Sequence, residues 1–313
     1  MPRSVTIREE GPREGFQIEP LIPTEEKVRL IDALSETGVR YLNVTSFVSP
    51  KWVPQMADAE DLTARITRRP SVTYVATYLN LKGLERALAT GRLHCPGVLA
   101  VAASDPFARS NQNRSIDEIE AEYPSLVTRY RELGLPVHGA VMAAFGCNFQ
   151  GEVPQEDVLA RIAAQVEACR QGGVALNELM LGDTMGWANP AQVQRLLGAI
   201  RDRWPDLRLT LHFHDTRGLG IANVLAALGM GIDTLDASVG GLGGCPFAGH
   251  KGAAGNVATE EVVFLCHEMG IETGVDLDRM LGCAALAEEI VAHPLASKLL
   301  HGGNLAKYRQ QPA

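Results

Sequence analysis

No stretch of this 313-residue sequence is apolar for long enough to cross a bilayer, which argues against a helical membrane protein. Cysteine is sparse. The six residues Cys95, Cys147, Cys169, Cys245, Cys266 and Cys283 form no CxxC pair and no dense framework, so reduced cytosolic thiols are expected. Aromatic residues make up only 5%, and 29 basic residues face 37 acidic ones for a net charge of −8. With no basic stripe interleaved with aromatics, nucleic acid is not an expected partner. Neither a GxGxxG after the first strand nor a P-loop occurs, so a nucleotide-dependent redox function has no support. The opening MPRSVTIREE enters a strand-like segment at once, with no apolar stretch of a signal peptide, and a cytoplasmic location is expected.

What remains is an ordinary globular composition, 46% hydrophobic and 21% charged. Short apolar runs alternate with amphipathic segments along the chain. Strands are expected over residues 5–9, 41–45, 72–77, 98–103, 136–142, 176–181, 207–212 and 234–239. Helices are expected from Thr24, as N-cap with Glu25 and Glu26 in the first turn, up to Gly38. Others are expected over 81–89, 116–133 opened by Ser115, 155–171, 191–203, 220–230 and 260–269. The economical solution is an α/β fold, a (β/α)8 TIM barrel over 1–275 with an appended helical extension over 276–313.

Such a barrel carries its chemistry at the C-terminal ends of the strands and in the loops that follow. That filter selects Arg13 and Glu14, then Asn43 to Ser46, Asp183, His212 with His214, and Cys245 with Asn256. His212 and His214 are two residues apart on a strand and therefore share a face. Two imidazoles so placed suit one metal ion if a third ligand arrives, and Glu14 is the best candidate, with Asn256 a weaker fourth. The alternative, that the two histidines satisfy each other and nearby backbone, stays open at this point. Arg13 is a permanent donor to an oxyanion or carboxylate, or else a partner in a surface ion pair. Cys245 lies in the glycine-rich GGLGGCPFAGHKGAAGN, which suits a lid carrying a proton donor or nucleophile. Cys147 reads as a packing residue. Asp215 is expected to orient an imidazole or a helix N-terminus, and Asp183 to support, transfer a proton or cap a turn.

The blocks GPREGFQIE, TSFVSPKWVPQM, LGDTMG, HFHDTRG, GLGGCPFA and GNVATEE, in this order, resemble the 3-hydroxy-3-methylglutaryl-CoA lyases. The resemblance runs from about residue 5 to residue 274 and reaches the wider group of metal-dependent lyases and synthases. It implies a barrel that binds Mg²⁺ or Mn²⁺ through Glu14, His212 and His214, with Asn256 close by. Arg13 matches the arginine that stabilises an enolate oxygen, Cys245 the lid cysteine of proton transfer, and Asp183 an aspartate important for catalysis. Gln17, Ser46 and Thr184 fall where the family lines its acyl pocket. The implied substrate is an acyl-CoA thioester, split into acetyl-CoA and acetoacetate as in leucine degradation, by a homodimer.

The sequence departs from the lyase pattern at four points. Glu14 stands for an Asp, Asn43 for a Glu, Met180 for a Ser in the acyl pocket, and the loop from Cys245 to Asn256 is two residues longer. The same chemistry on citramalyl-CoA, giving acetyl-CoA and pyruvate, is therefore an alternative. Two further readings are an acetyl-CoA-condensing synthase, favoured faintly by Glu14, and a non-catalytic acyl-CoA-binding barrel.

Overall fold

The computed structural model describes residues 1–244 and 255–309. Eight strands, all parallel where their pairing is seen, alternate with helices, and the chain has the α/β, TIM-barrel-like architecture. The strands are β1 (Thr6–Glu9), β2 (Tyr41–Phe47), β3 (Thr73–Tyr78), β4 (Gly97–Ala102), β5 (Val137–Met142), β6 (Leu176–Gly182), β7 (Arg208–His212) and β8 (Thr234–Ala237). Among the described residues the chain divides into two compact units. One takes in residues 1–2 and 96–235, the other residues 3–95, 236–244 and 255–309.

In the first unit the strand order is β4, β5, β6, β7 and then the opening half of β8. Leu99, Val101, Val141, Leu179, Leu181 and Leu211 are fully buried on these strands. Strands covered on both faces read as near-continuous apolar runs, which is why β4 to β7 stand out in the sequence. Each such side chain contributes about 1.5–3 kcal/mol of burial. The register pairs Gly182 with His212, so the ends of β6 and β7 lie side by side.

In the second unit β3, β2 and β1 are followed by the closing half of β8. The register shifts between Asn43 and Thr45, a bulge that re-aims side chains at the end of β2. Leu30, Ile31 and Leu34 of the helix Thr24–Leu34 are fully buried, and the helix Leu277–Val291 packs against it.

Three details differ from the sequence expectation. Thr24 is the first helical residue, not the cap: Pro23 holds that place, and the Thr24 hydroxyl donates to Asp58 Oδ2 at 2.8 Å. The helix expected over 116–133 is two, Ile116–Glu120 and Tyr123–Glu132, because Pro124 lacks the N–H that would continue the first. Two short helices, Ala59–Arg65 and Asp105–Gln112, escaped the periodicity reading.

Beneath the second unit's loops lie two carboxyls, Glu9 and Glu260, both fully buried. Glu9 accepts from Gly11 N at 2.8 Å, Val239 N at 2.9 Å and the Thr259 hydroxyl at 2.6 Å. Glu260 accepts from Gly240 N at 3.1 Å. Burial outweighs these donors and pushes each carboxyl up to about 7. An unfolded Glu titrates near 4.3, so between about 4.3 and 7 the folded chain binds more protons than the unfolded one. This stabilisation is complete below the unfolded value and is lost as pH rises through about 7. The melting temperature is therefore expected to be higher at pH 6 than at pH 8. Glu260→Gln should flatten that slope in calorimetric scans, and an unchanged slope would contradict the assignment.

Candidate active site

The segment after β1 is a single π-helical turn, Gly11–Gly15, followed by the 3-10 turn Phe16–Ile18. Such turns are rare, and are frequently found at functional sites. Gly11 is required there, since a Cβ would stand 2.7 Å from Glu9 Oε1 and 2.8 Å from Val239 Cγ1. The turn presents Arg13 and Glu14, with Glu14 buried. Arg13 Nη2 donates to Glu10 Oε2 at 2.7 Å and lies 3.0 Å from Glu14 Oε2. Burial works against the guanidinium charge, but Glu10, then Glu14, with Asp236 adding, raise its pKa above the ordinary value. Arg13 is thus a fixed cation held between carboxylates, and its buried Nε has no partner among the described residues.

Asn43, at the bulge of β2, donates through Nδ2 to Glu10 Oε2 at 2.9 Å and to the Thr77 hydroxyl at 3.0 Å. Ser46 is buried further along the same strand, and Gln17 is half-buried in the 3-10 turn. Asn256 is buried and donates to Leu242 O at 3.0 Å. Gly243 separates it from Glu14: a Cβ on that glycine would lie 2.6 Å from Asn256 Nδ2 and 3.1 Å from Glu14 Cγ.

The first unit supplies the imidazoles. His212 closes β7, His214 follows, both are buried, and their Nε2 atoms stand 3.2 Å apart. The shared face expected from strand periodicity is what brings the two rings together. Asp183 N donates to His212 O at 2.8 Å. Its side-chain Oδ1 accepts from Trp187 N at 2.7 Å and Ala188 N at 3.0 Å, capping the turn, while the buried Oδ2 has no partner among the described residues. Burial outweighs the two backbone donors and the lesser pull of His212 and Arg217, and pushes this carboxyl up to about 7. Arg217 ties down the same turn by donating to Met185 O at 2.7 Å and Gly186 O at 3.0 Å.

Thr184 accepts from Ala143 N at 2.9 Å, so its hydroxyl is engaged with backbone. Met180 is half-buried on β6. Asp215 Oδ1 accepts from Gly220 N at 2.7 Å, at the N-terminus of the helix Gly220–Gly229. Cys147 is fully buried, as suits packing. Cys245 lies outside the described residues.

Glu10 escaped the sequence reading altogether. The signal available was the doubled glutamate, Glu9-Glu10, at the mouth of a strand that leads into PREG. Consecutive residues cannot both face one way there, and the structure sends Glu9 under the loops and Glu10 to Arg13.

An α/β chain with barrel-type strands and charged groups at strand ends is a barrel enzyme in class. The family model described as HMGL-like matches residues 4–286, and the chain belongs to that family. Hydroxymethylglutaryl-CoA lyase YngG of Bacillus subtilis (strain 168) is 42% identical over 300 residues, 96% of this chain and 97% of that one. A crystal structure of the Bacillus subtilis HMG-CoA lyase superposes with a TM-score of 0.88 at 41% identity, covering 96% and 99% of the two chains. An HMG-CoA lyase from Acinetobacter baumannii, solved in complex with coenzyme A and 3-methylmalate, gives a TM-score of 0.86 at 36% identity over 99% and 98%.

Proposed function

We propose that this carbon–carbon lyase cleaves 3-hydroxy-3-methylglutaryl-CoA to acetyl-CoA and acetoacetate with the help of a divalent cation, Mg²⁺ or Mn²⁺. The observation that carries the reading is the 42% identity to a hydroxymethylglutaryl-CoA lyase across nearly the whole of both chains. The Acinetobacter relative's complex supports a CoA thioester as substrate. A cytoplasmic homodimer belongs to the same proposal. No helix among the described residues is long and apolar enough to cross a membrane.

Glu14, His212 and His214, three buried side chains that each offer one ligand atom, would hold the cation, with Asn256 beside Glu14. The donor set fits a divalent ion. Two buried Nε2 atoms 3.2 Å apart either share a proton or turn both lone pairs to a cation, and two imidazoles with a carboxylate leave coordination positions open. When bound, the ion acts as a Lewis acid that lowers the pKa of the substrate's tertiary hydroxyl.

The side chains then divide the work. Asp183, with its pKa raised to about 7 and Oδ2 without a partner among the described residues, accepts the hydroxyl proton, with His212 beside it along the backbone. The bond between the α-carbon of the thioester and the carbinol carbon breaks, and its electron pair passes into an enolate of acetyl-CoA. Arg13 donates to the enolate oxygen, and its Nε, without a partner among the described residues, is a donor suited to that task. Cys245 delivers the proton to carbon. Gln17, Asn43, Ser46, Met180 and Thr184 line the acyl side.

Incubation with 3-hydroxy-3-methylglutaryl-CoA and Mn²⁺ is expected to release acetyl-CoA and acetoacetate, identified by mass. EDTA should abolish release and added Mn²⁺ restore it. Silence on this thioester beside rapid cleavage of citramalyl-CoA would move the substrate, and cleavage of neither would sink the lyase reading.

A further inference from the structure

Glu10 is a buried carboxylate immediately after β1, on no other residue's account a catalytic group, yet it touches two polar side chains of the site. One carboxylate oxygen, Oε2, accepts from Arg13 Nη2 at 2.7 Å and from Asn43 Nδ2 at 2.9 Å. Asn43 in turn donates to the Thr77 hydroxyl at 3.0 Å, and its own Oδ1 is buried without a partner among the described residues. The same Arg13 nitrogen stands 3.0 Å from Glu14 Oε2. A single guanidinium nitrogen is therefore shared between two carboxylates, one of them the proposed cation ligand.

We propose that Glu10 is a positioning residue. It anchors the Arg13 guanidinium toward the β2 side, and the charge it supplies there keeps Arg13 from settling wholly on Glu14. The inference rests on the lyase reading above. In a buried setting an Arg bonded by one carboxylate alone pairs with it tightly, and bidentate pairing is the geometry it prefers. Remove the Glu10 charge and Glu14, 3.0 Å from Arg13 Nη2, becomes the carboxylate that holds that nitrogen, with Asp236 adding its charge nearby. Two consequences follow together: the enolate donor is turned away from its working direction, and the cation loses part of its ligand's charge.

Geometry also supplies a way to return that charge from elsewhere. Asn43 Nδ2 is already 2.9 Å from the Glu10 carboxylate, so a glutamate at 43 brings a carboxylate to the same neighbourhood, where the Thr77 hydroxyl can donate to it. Charge relocation is thus testable as a double-mutant cycle, in which residues acting through one shared group fail to combine independently.

Glu10→Gln is isosteric and is expected to lower kcat by about 10- to 100-fold, with KM for the thioester changed by less than about threefold. Its Mn²⁺ dissociation constant, measured by titration calorimetry without substrate, should rise about tenfold. Asn43→Glu alone crowds a second negative charge against Glu10 and should also lower kcat. The double variant Glu10→Gln/Asn43→Glu is expected to regain both kcat and Mn²⁺ affinity relative to Glu10→Gln. Losses that simply multiply in the double variant, or wild-type kcat and Mn²⁺ affinity in Glu10→Gln, would overturn the proposal. A wild-type enzyme that neither binds Mn²⁺ nor cleaves the thioester would instead defeat the lyase reading on which it stands.

Discussion

His212→Ala is expected to lose its bound Mn²⁺ and at least about three orders of magnitude in turnover, since the Lewis-acid contribution is worth several kcal/mol. The residue ends β7 opposite Gly182 and cannot be replaced by a neighbour, because the strand's alternation sends Phe213 to the other face. Phe213 is fully buried against Phe145, with ring centroids 5.9 Å apart, so the strand end is anchored and the alanine variant should stay folded. Metal content after dialysis, read by atomic emission, separates this loss from a defect of chemistry alone. Cys245→Ala is the matched control: it should keep the cation while losing turnover. Full metal content in His212→Ala would remove that imidazole from the ligand set.

The legible parts of this chain were those in which one local rule decides the outcome. The helix Gln155–Gln171 is bounded by Pro154 and by Gly172 with Gly173, and its ends could be read directly. Leu81–Ala89 was equally plain, because Asn80 caps it by accepting from Gly83 N at 2.9 Å. The histidine pair was visible for the same reason, as a spacing of two on a strand needs no knowledge of the rest of the fold. The short helix Ala59–Arg65 was not legible, having too few turns to establish a period. Thr24 was misread because its hydroxyl answers to Asp58, 34 residues away, and local capping rules carry no such information. Glu10 was missed on similar grounds, since its meaning depends on Asn43, 33 residues away on the neighbouring strand. Position 43 holds an amide where the lyases it resembles carry a Glu. In the structure the amide faces a carboxylate from the neighbouring strand end, so a negative charge is still there.

Arg13→Lys should cost about 10²–10³ in kcat, the range for removing one preorganised donor to a developing oxyanion. Both residues carry a permanent positive charge at neutral pH, so simple electrostatics would forecast a small effect. The geometry argues otherwise. The guanidinium reaches Glu10 and Glu14 through one terminal nitrogen and leaves Nε buried, without a partner among the described residues. A buried unmet donor costs about 1–3 kcal/mol, and that cost is relieved only when an oxygen arrives to accept from it. Its benefit is therefore realised with the substrate or its enolate in place and is absent beforehand, which is how a group raises kcat without merely tightening binding. A lysine ammonium can satisfy the two carboxylates, but it has no second donor held rigidly at the Nε position. The loss should accordingly fall on kcat, with KM moving less than about threefold, and Mn²⁺ should still bind because Glu14 and both histidines are unchanged. A rise in KM with kcat preserved would assign Arg13 to ground-state binding of a substrate carboxylate and leave the enolate without its proposed donor.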